Sequence, residues 1–317
     1  VVPTGPLAQW SSDPFTPTHK DGKLYGRGAS DMKTSLAAMV VAVQEFLAAH
    51  PNPVLGIAFL LTSDEEGPAV DGTVVVCERL KARGEAPQFC IVGEPTAMQV
   101  ATGHKGKIAL RATCLGREGH SALAPMALNA LHLAADFVTV VRNIQARVAA
   151  EGLRDGDYDV PYTTLHVGKL NGGVQVNIVP NHAVIDFEIR SLAGEDTDAL
   201  IAQLRQGAEA IVAPLQAEFP EAEIRVERLW DYPGLGTASD AGVVNFVKGL
   251  TGANGTMKVA FGTEGGLFDA RLGIPTVICG PGSMAQGHKP DEYVTVEQMD
   301  RCQAMMAALL ARLEAGF

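Results

Sequence analysis

The sequence predicts an α/β protein whose mainly parallel, helix-covered sheet is interrupted by an inserted α+β domain. Three observations carry that prediction. Apolar runs of strand length alternate with helical patterns in the first hundred residues, which is the cadence of a parallel sheet covered by helices. Between 104 and 230 the pattern changes to strand, helix, two strands, helix, strand, the split βαβ arrangement of a small sheet with two helices on one face. The α/β cadence then returns and runs to the C-terminus. The expected division is 1–103 together with 231–317, and 104–230 between them.

The elements follow in order. Residues 1–30, rich in Pro, Ser and Gly, read as loop and short strand. A helix is expected over 32–49, stopped by Pro51. Residues 55–62 form an apolar run of strand length that ends in Ser63-Asp64-Glu65-Glu66-Gly67, and a helix follows at about 71–83. Residues 89–93 read as a buried strand ending in Glu94-Pro95-Thr96. In the insert, 107–115 alternates as a half-exposed strand does. A helix follows at 126–150, then strands at 163–170 and 175–191, a helix at 195–213 and a strand at 223–229. Beyond Ser239 the expected elements are a helix 239–250, strands 257–261 and 276–279, and a final helix 295–315.

Composition narrows the function classes. Hydrophobic residues make up 47% of the 317 positions and charged residues 19%, enough apolar material for sizeable cores. The net charge of −11 makes nucleic acid and anionic membrane poor partners, whereas a carboxylate-rich site suits divalent cations. The five cysteines are far apart, form no Cys-x-x-Cys and mostly sit in apolar runs. They read as reduced core thiols of a cytoplasmic protein. No uncharged apolar run approaches the roughly 18 residues of a membrane span, and no signal peptide is recognised.

Acidic residues stand where strands end, the edge at which open α/β sheets bind ligands. Asp31, in Gly26-Arg27-Gly28-Ala29-Ser30-Asp31-Met32-Lys33, precedes a helix and taken alone reads first as an N-cap. Asp64, Glu65 and Glu66 are adjacent acids after an apolar run, either a solvated turn or a cation site. Glu94 ends the next strand. His288 follows a Gly-rich loop after the strand 276–279, where a lone His is ordinarily just exposed. Together these carboxylates and the imidazole suit zinc, or less selectively manganese or cobalt. An extra carboxylate beside the ligands would serve as general base.

These motifs resemble those of the co-catalytic zinc amidohydrolases, the family that includes acetylornithine deacetylase, succinyl-diaminopimelate desuccinylase, carboxypeptidase G2 and aminoacylase. The resemblance covers essentially the whole chain, and the 34 positions from Asp31 to Glu65 and the 28 from Glu66 to Glu94 fit its spacing. It implies a zinc-exopeptidase-like fold with a ferredoxin-like dimerisation domain at 104–230, and hence a homodimer. By that resemblance Asp31 bridges two metals, Glu65 is the general acid/base, Glu66 binds one metal with His288, and Glu94 binds the other. The Asp31-Met32 peptide bond is expected to be cis. The family's remaining ligand is the His of a His-x-Asp motif immediately before Val-Val-Pro. The present sequence opens on Val1-Val2-Pro3, and His19, His50 and His104 do not match. The expectation is that this His and the first strands belong to the complete protein, which would hold two Zn2+ per subunit, with Co2+ or Mn2+ as substitutes.

The resemblance also bears on substrate. Residues 1–97 look more like the desuccinylase, in Tyr25-Gly26-Arg27-Gly28-Ala29-Ser30-Asp31 and in Thr62-Ser63-Asp64-Glu65-Glu66-Gly67. Residues 101–317 look more like acetylornithine deacetylase, in Gly119-His120-Ser121 and Gly262-Thr263-Glu264-Gly265-Gly266. By resemblance His120 stabilises the oxyanion in a neighbouring subunit's site, and Asn177 and Arg190 bind substrate, Arg190 gripping its carboxylate. Gly262, Thr263 and Glu264 would lie near the amino-acid portion, Glu264 favouring a cationic side chain. Because the corresponding part supplies most substrate contacts in the family, the resemblance implies hydrolysis of N-acetylornithine to ornithine and acetate, a step of arginine biosynthesis. The alternative is succinyl-diaminopimelate desuccinylase, a lysine-biosynthetic enzyme. An alternative of another class is a non-catalytic binding or dimerisation protein that keeps the fold.

Overall fold

Asp21 and Gly22 both take positive φ, 51° and 70°, as a two-residue hairpin turn requires. They fold Thr18–Lys20 (β1) back onto Lys23–Tyr25 (β2). A computed structural model of the chain describes residues 1–50, 56–67, 69–85 and 87–315. Helix α1 (Lys33–Ala49) buries Ser35, Ala42 and Phe46. Helix α2 (Thr73–Arg83) carries Lys81 and Arg83 in its last turn, where cations suit the helix dipole, and stops at Gly84 in the left-handed region. Strands Cys90–Val92 (β3) and Ala101–His104 (β4) follow.

The chain separates into two units, Val1–His104 with Leu235–Phe317, and Lys105–Gly234. The second unit contains Gly106–Leu115 (β5), Gly119–His120 (β6), Ala130–Glu151 (α3), Thr164–Gly172 (β7), Ile178–Val179 (β8), His182–Ser191 (β9), Thr197–Val212 (α4) and Glu223–Tyr232 (β10). Its antiparallel sheet runs β10-β5-β9-β7, and β6 pairs with β8 apart from it. Alternate residues Ile108, Leu110, Ala112 and Cys114 of β5, with Ala183, Ile185, Phe187 and Ile189 of β9, meet the inward faces of α3 and α4 in one core. The Phe137 and Phe187 rings stand 5.8 Å apart in edge contact. The strand expected over 175–191 is broken, because Pro180 has no amide to donate and leaves β8 to pair elsewhere.

The first unit resumes with Leu235–Gly236 (β11), Gly242–Thr251 (α5), Met257–Val259 (β12), Gly265–Leu272 (α6), Thr276–Ile278 (β13), Tyr293–Thr295 (β14) and Val296–Ala315 (α7). Its larger sheet runs β11-β4-β13-β3, with β12 also on β4. The expected mainly parallel sheet is mixed: β12–β4 and β13–β3 are parallel, while β11–β4 and β13–β4 are antiparallel. Strand direction follows from how the chain re-enters after the second unit, which apolar runs do not encode. Val277 and Cys279 pack with α5 and α7, whereas Ile278 joins Val92, Ala101, Leu235 and Val259 on the opposite side. The cysteines are free, and all but the half-buried Cys90 are buried.

The strand expected over 55–62 is a second correction. Leu55 lies outside the described residues, and 56–62 stands in no ladder, with Leu61 61% exposed. An apolar run becomes a strand only where a neighbouring strand offers backbone partners. Among the described residues β3, beyond which no further strand stands, pairs with β13 alone.

Candidate metal centre

Strands β3 and β13 run parallel, Cys90 opposite Thr276 and Val92 opposite Ile278. Their carboxyl ends therefore release Glu94 and the loop carrying His288 at one edge of the sheet, where such folds bind ligands. Gly280 permits the approach, since a Cβ there would lie 2.1 Å from the Gly93 carbonyl oxygen. Asp31 enters just before α1. It does not cap that helix, which has Met32 at its N-cap and no side-chain cap bond, so the capping reading does not hold. The Asp31-Met32 peptide bond is cis.

Three predicted ligands come together. One ligand atom each from Asp31, Glu66 and His288 lies within 4.8 Å of the others. His288 Nε2 stands 2.9 Å from Asp31 Oδ2 and 3.4 Å from Glu66 Oε2. His288 itself takes φ 59°, a strained backbone for a non-glycine residue that persists where its surroundings fix it.

Glu94 is 5% exposed and lies outside that triad. Burial first, then the charges of Asp31, Glu65, Glu264 and Glu66, hold its carboxyl well above the usual range. Burial first, then Glu264, Glu66 and Asp31, pushes Glu65 up to about 8. Acids crowded in this way are costly unless a cation or protons neutralise them. Carboxylates plus one imidazole are the donor set of a zinc-like divalent ion, so the residues present fit a metal. Asp31, Glu66 and His288 could hold one ion, and Glu94 stands where its charge reaches Asp31.

The predicted substrate residues divide between the two units. In the first, Thr263 is buried and its Oγ1 accepts from the Gly265 amide at 3.0 Å. Gly262 precedes it, half-buried. Glu264 was expected to face a cationic substrate group. Its Oε1 instead accepts from Thr62 Oγ1 at 2.5 Å and from Thr73 Oγ1, which ties the start of α6 to the segment leading into Glu65. In the second unit, His120 and Asn177 are adjacent and exposed: the Ser121 amide donates to the Asn177 carbonyl at 3.0 Å. His120 Nδ1 accepts from the Ala122 amide at 3.1 Å. Arg190 donates through Nε to Glu188 at 3.0 Å and through Nη1 to Tyr232 Oη at 3.2 Å.

Two residues that the sequence did not single out stand against the site. Glu292 is 1% exposed and accepts from the Asp31 amide, and Arg27 pairs with it. Arg27 stands four positions before Asp31 in the 26–33 stretch and Glu292 four positions after His288, but spacing alone gave neither a role.

Comparison with known proteins agrees with this geometry. Residues 1–312 match Peptidase family M20/M25/M40. A succinyl-diaminopimelate desuccinylase of Polaromonas sp. is 42% identical over 324 residues, covering 99% of this chain and 72% of that protein. One from Polaromonas naphthalenivorans is 40% identical over 324 residues, covering 99% and 75%. The M20 family metallo-carboxypeptidase from Sulfolobus solfataricus shares the fold, with a TM-score of 0.74 at 18% identity over 99% of this chain and 83% of that one. These relatives favour the desuccinylase alternative over the acetylornithine reading, and they set aside the non-catalytic one. None of the helices described is long and apolar enough to cross a membrane. The chain belongs to Peptidase family M20/M25/M40 and is a metal-dependent hydrolase of that family.

Proposed function

We propose that the protein hydrolyses the amide of an N-succinyl amino acid, with succinyl-diaminopimelate as the first substrate to test and zinc as the native metal at a two-ion centre. The observation that carries the reading is the convergence of Asp31, Glu66 and His288 beside the raised carboxyl of Glu65. The substrate class is supported by the names of the relatives at about 40% identity. Zinc is supported by the mixed carboxylate and imidazole donors.

Bound divalent ions supply Lewis acidity, polarising the acyl carbonyl and acidifying water. Asp31, Glu66 and His288 would hold one such ion, and Glu94 with Asp31 would supply carboxylates for a second. Glu65 takes the proton of the attacking water and returns it to the leaving amine, a carboxyl held near neutrality being suited to both transfers. The Nδ1 of His120 is engaged as an acceptor, so its neutral ring carries the proton on Nε2. That proton is available to an oxyanion. Asn177 and Arg190 are proposed to bind substrate, Arg190 exchanging its bonds to Glu188 and Tyr232 for a substrate carboxylate. Loss of the Glu264 carboxylate to Thr62 and Thr73 removes the main structural argument for an ornithine side chain. A homodimer through the second unit is supported by β7, an edge strand whose last residues are exposed.

A side-by-side assay of N-succinyl-diaminopimelate and N-acetylornithine on the zinc-loaded protein tests the proposal. Faster turnover of the acetyl substrate would overturn the substrate class, and no turnover of either would overturn the reaction.

A further inference from the structure

We propose that Glu292, paired with Arg27, is a positioning residue that sets the Asp31 carboxylate and the His288 imidazole for metal binding. The inference rests on the metal-dependent hydrolysis proposed above and concerns residues that touch neither substrate nor metal.

The geometry begins with strand register. Tyr293 of β14 stands opposite Tyr25 of β2, so Glu292 lies beside Gly26, whose amide donates to the Glu292 carbonyl at 3.0 Å. From that place the Glu292 carboxylate reaches into the 27–31 turn. Its Oε1 accepts from the amides of Ser30 at 2.9 Å and Asp31 at 3.0 Å, and its Oε2 accepts from Arg27 Nη1 at 2.5 Å. Arg27 is fixed in turn. Its guanidinium lies 5.1 Å from the centre of the Trp10 ring, its Nη2 donates to the Pro3 carbonyl at 3.3 Å, and its amide donates to the Pro14 carbonyl at 2.8 Å.

A second fastening joins the same two segments. Ser30 Oγ donates to the Ser283 carbonyl at 3.1 Å and accepts from the Ser283 amide at 2.9 Å. Asp291 anchors the far end of the loop, its Oδ1 accepting from the amide and hydroxyl of Ser11 at 2.7 and 3.0 Å. The turn bearing Asp31 and the loop bearing His288 are therefore joined through Ser283 on one side of His288 and Glu292 on the other.

Stability alone is a poor explanation for this pair. A buried ion pair generally gains little over a well-packed apolar pair of similar volume. What an apolar pair cannot do is accept from the Ser30 and Asp31 amides and so fix the direction of the Asp31 side chain. Groups that orient metal ligands in this way typically contribute about 10–100-fold in metal affinity.

The test uses Co2+ as the probe metal, with affinity read by competition against a chromophoric chelator and geometry by visible absorption. Glu292→Gln keeps shape and one acceptor oxygen but loses the charge. Arg27→Met combined with Glu292→Leu replaces the pair with apolar bulk. The expected result is that both variants melt lower than wild type, the double variant more so because the Ser30 and Asp31 amides lose their acceptor, and that both bind Co2+ about 10–100-fold more weakly with an altered absorption band. In both, kcat is expected to fall with KM little changed. Wild-type Co2+ affinity and spectrum in the double variant, or in Glu292→Gln alone if the double variant does not fold, would overturn the proposal. If wild type binds Co2+ yet hydrolyses neither acyl substrate, the hydrolase reading fails while the affinity comparison still decides the positioning role.

Discussion

Stripping the metal should turn the site into a pH-dependent fault in the first unit. Glu65 has its carboxyl pushed from 4.5 to about 8, mainly by burial and then by Glu264, Glu66 and Asp31. At about 1.36 kcal/mol per unit, the full shift corresponds to roughly 5 kcal/mol. The direction follows from the sign of the shift. A carboxyl whose folded pKa is raised contributes its stability fully below the unfolded value of 4.5 and loses it as pH climbs through about 8. Between about pH 5.5 and about pH 8.5 the metal-free protein should lose roughly 3 kcal/mol from Glu65. That is a fall of roughly 6–12 °C in Tm for a unit of this size. Glu94 shifts in the same direction and steepens the fall. Bound metal stabilises the folded state by mass action and neutralises the cluster, so the loaded protein should melt higher with a flatter pH profile. Differential scanning fluorimetry on chelator-treated and Zn2+-loaded wild type and Glu65→Gln makes the comparison. A metal-free Tm that is flat or rises across that range, or an unchanged slope in Glu65→Gln, would refute the reasoning.

Other outcomes follow from single contacts. Glu65→Gln should lower kcat by about 100–10,000-fold with metal content by mass spectrometry near wild type; loss of metal instead would make Glu65 a ligand. Glu264→Gln keeps one acceptor for Thr62 and Thr73 and should therefore be mild, whereas Glu264→Ala should lower kcat more than it raises KM; the reverse split would restore the substrate-contact reading. Gly282 takes φ 91°, and a Cβ there would meet Ser30 Oγ at 2.4 Å, so Gly282→Ala should cost about 1–3 kcal/mol in denaturant titrations and weaken Zn2+ binding. Phe137 is wholly buried against Phe187 in the second unit, and Phe137→Ala should cost about 3–5 kcal/mol in urea unfolding of that unit.

Much of the site was legible because its chemistry is local. Asp31, Glu66, Glu94 and His288 each stand at the end of an apolar run or a glycine loop, and sheets of this class bind at that edge. The two helices and the four strands of the main sheet of the second unit were legible from periodicity, since alternation and helical spacing are written residue by residue, but the break of 175–191 into β8 and β9 was not. Substrate was harder. Glu264 looks like a free acid in a glycine loop, yet Thr62 and Thr73, roughly 200 positions away, take its carboxylate.

The sequence by itself determined which residues carry charge, which segments are apolar and with what period, and hence the α/β class, the inserted unit and the candidate metal ligands. Tertiary structure alone decided strand direction in the mixed sheet, the unpaired state of 56–62, and the burial of Glu292 against the Asp31 amide. The reason is range. Periodicity and capping act over a few residues, whereas a ladder partner or a buried carboxylate's donors are supplied by chain hundreds of positions away, through a register that no local pattern records.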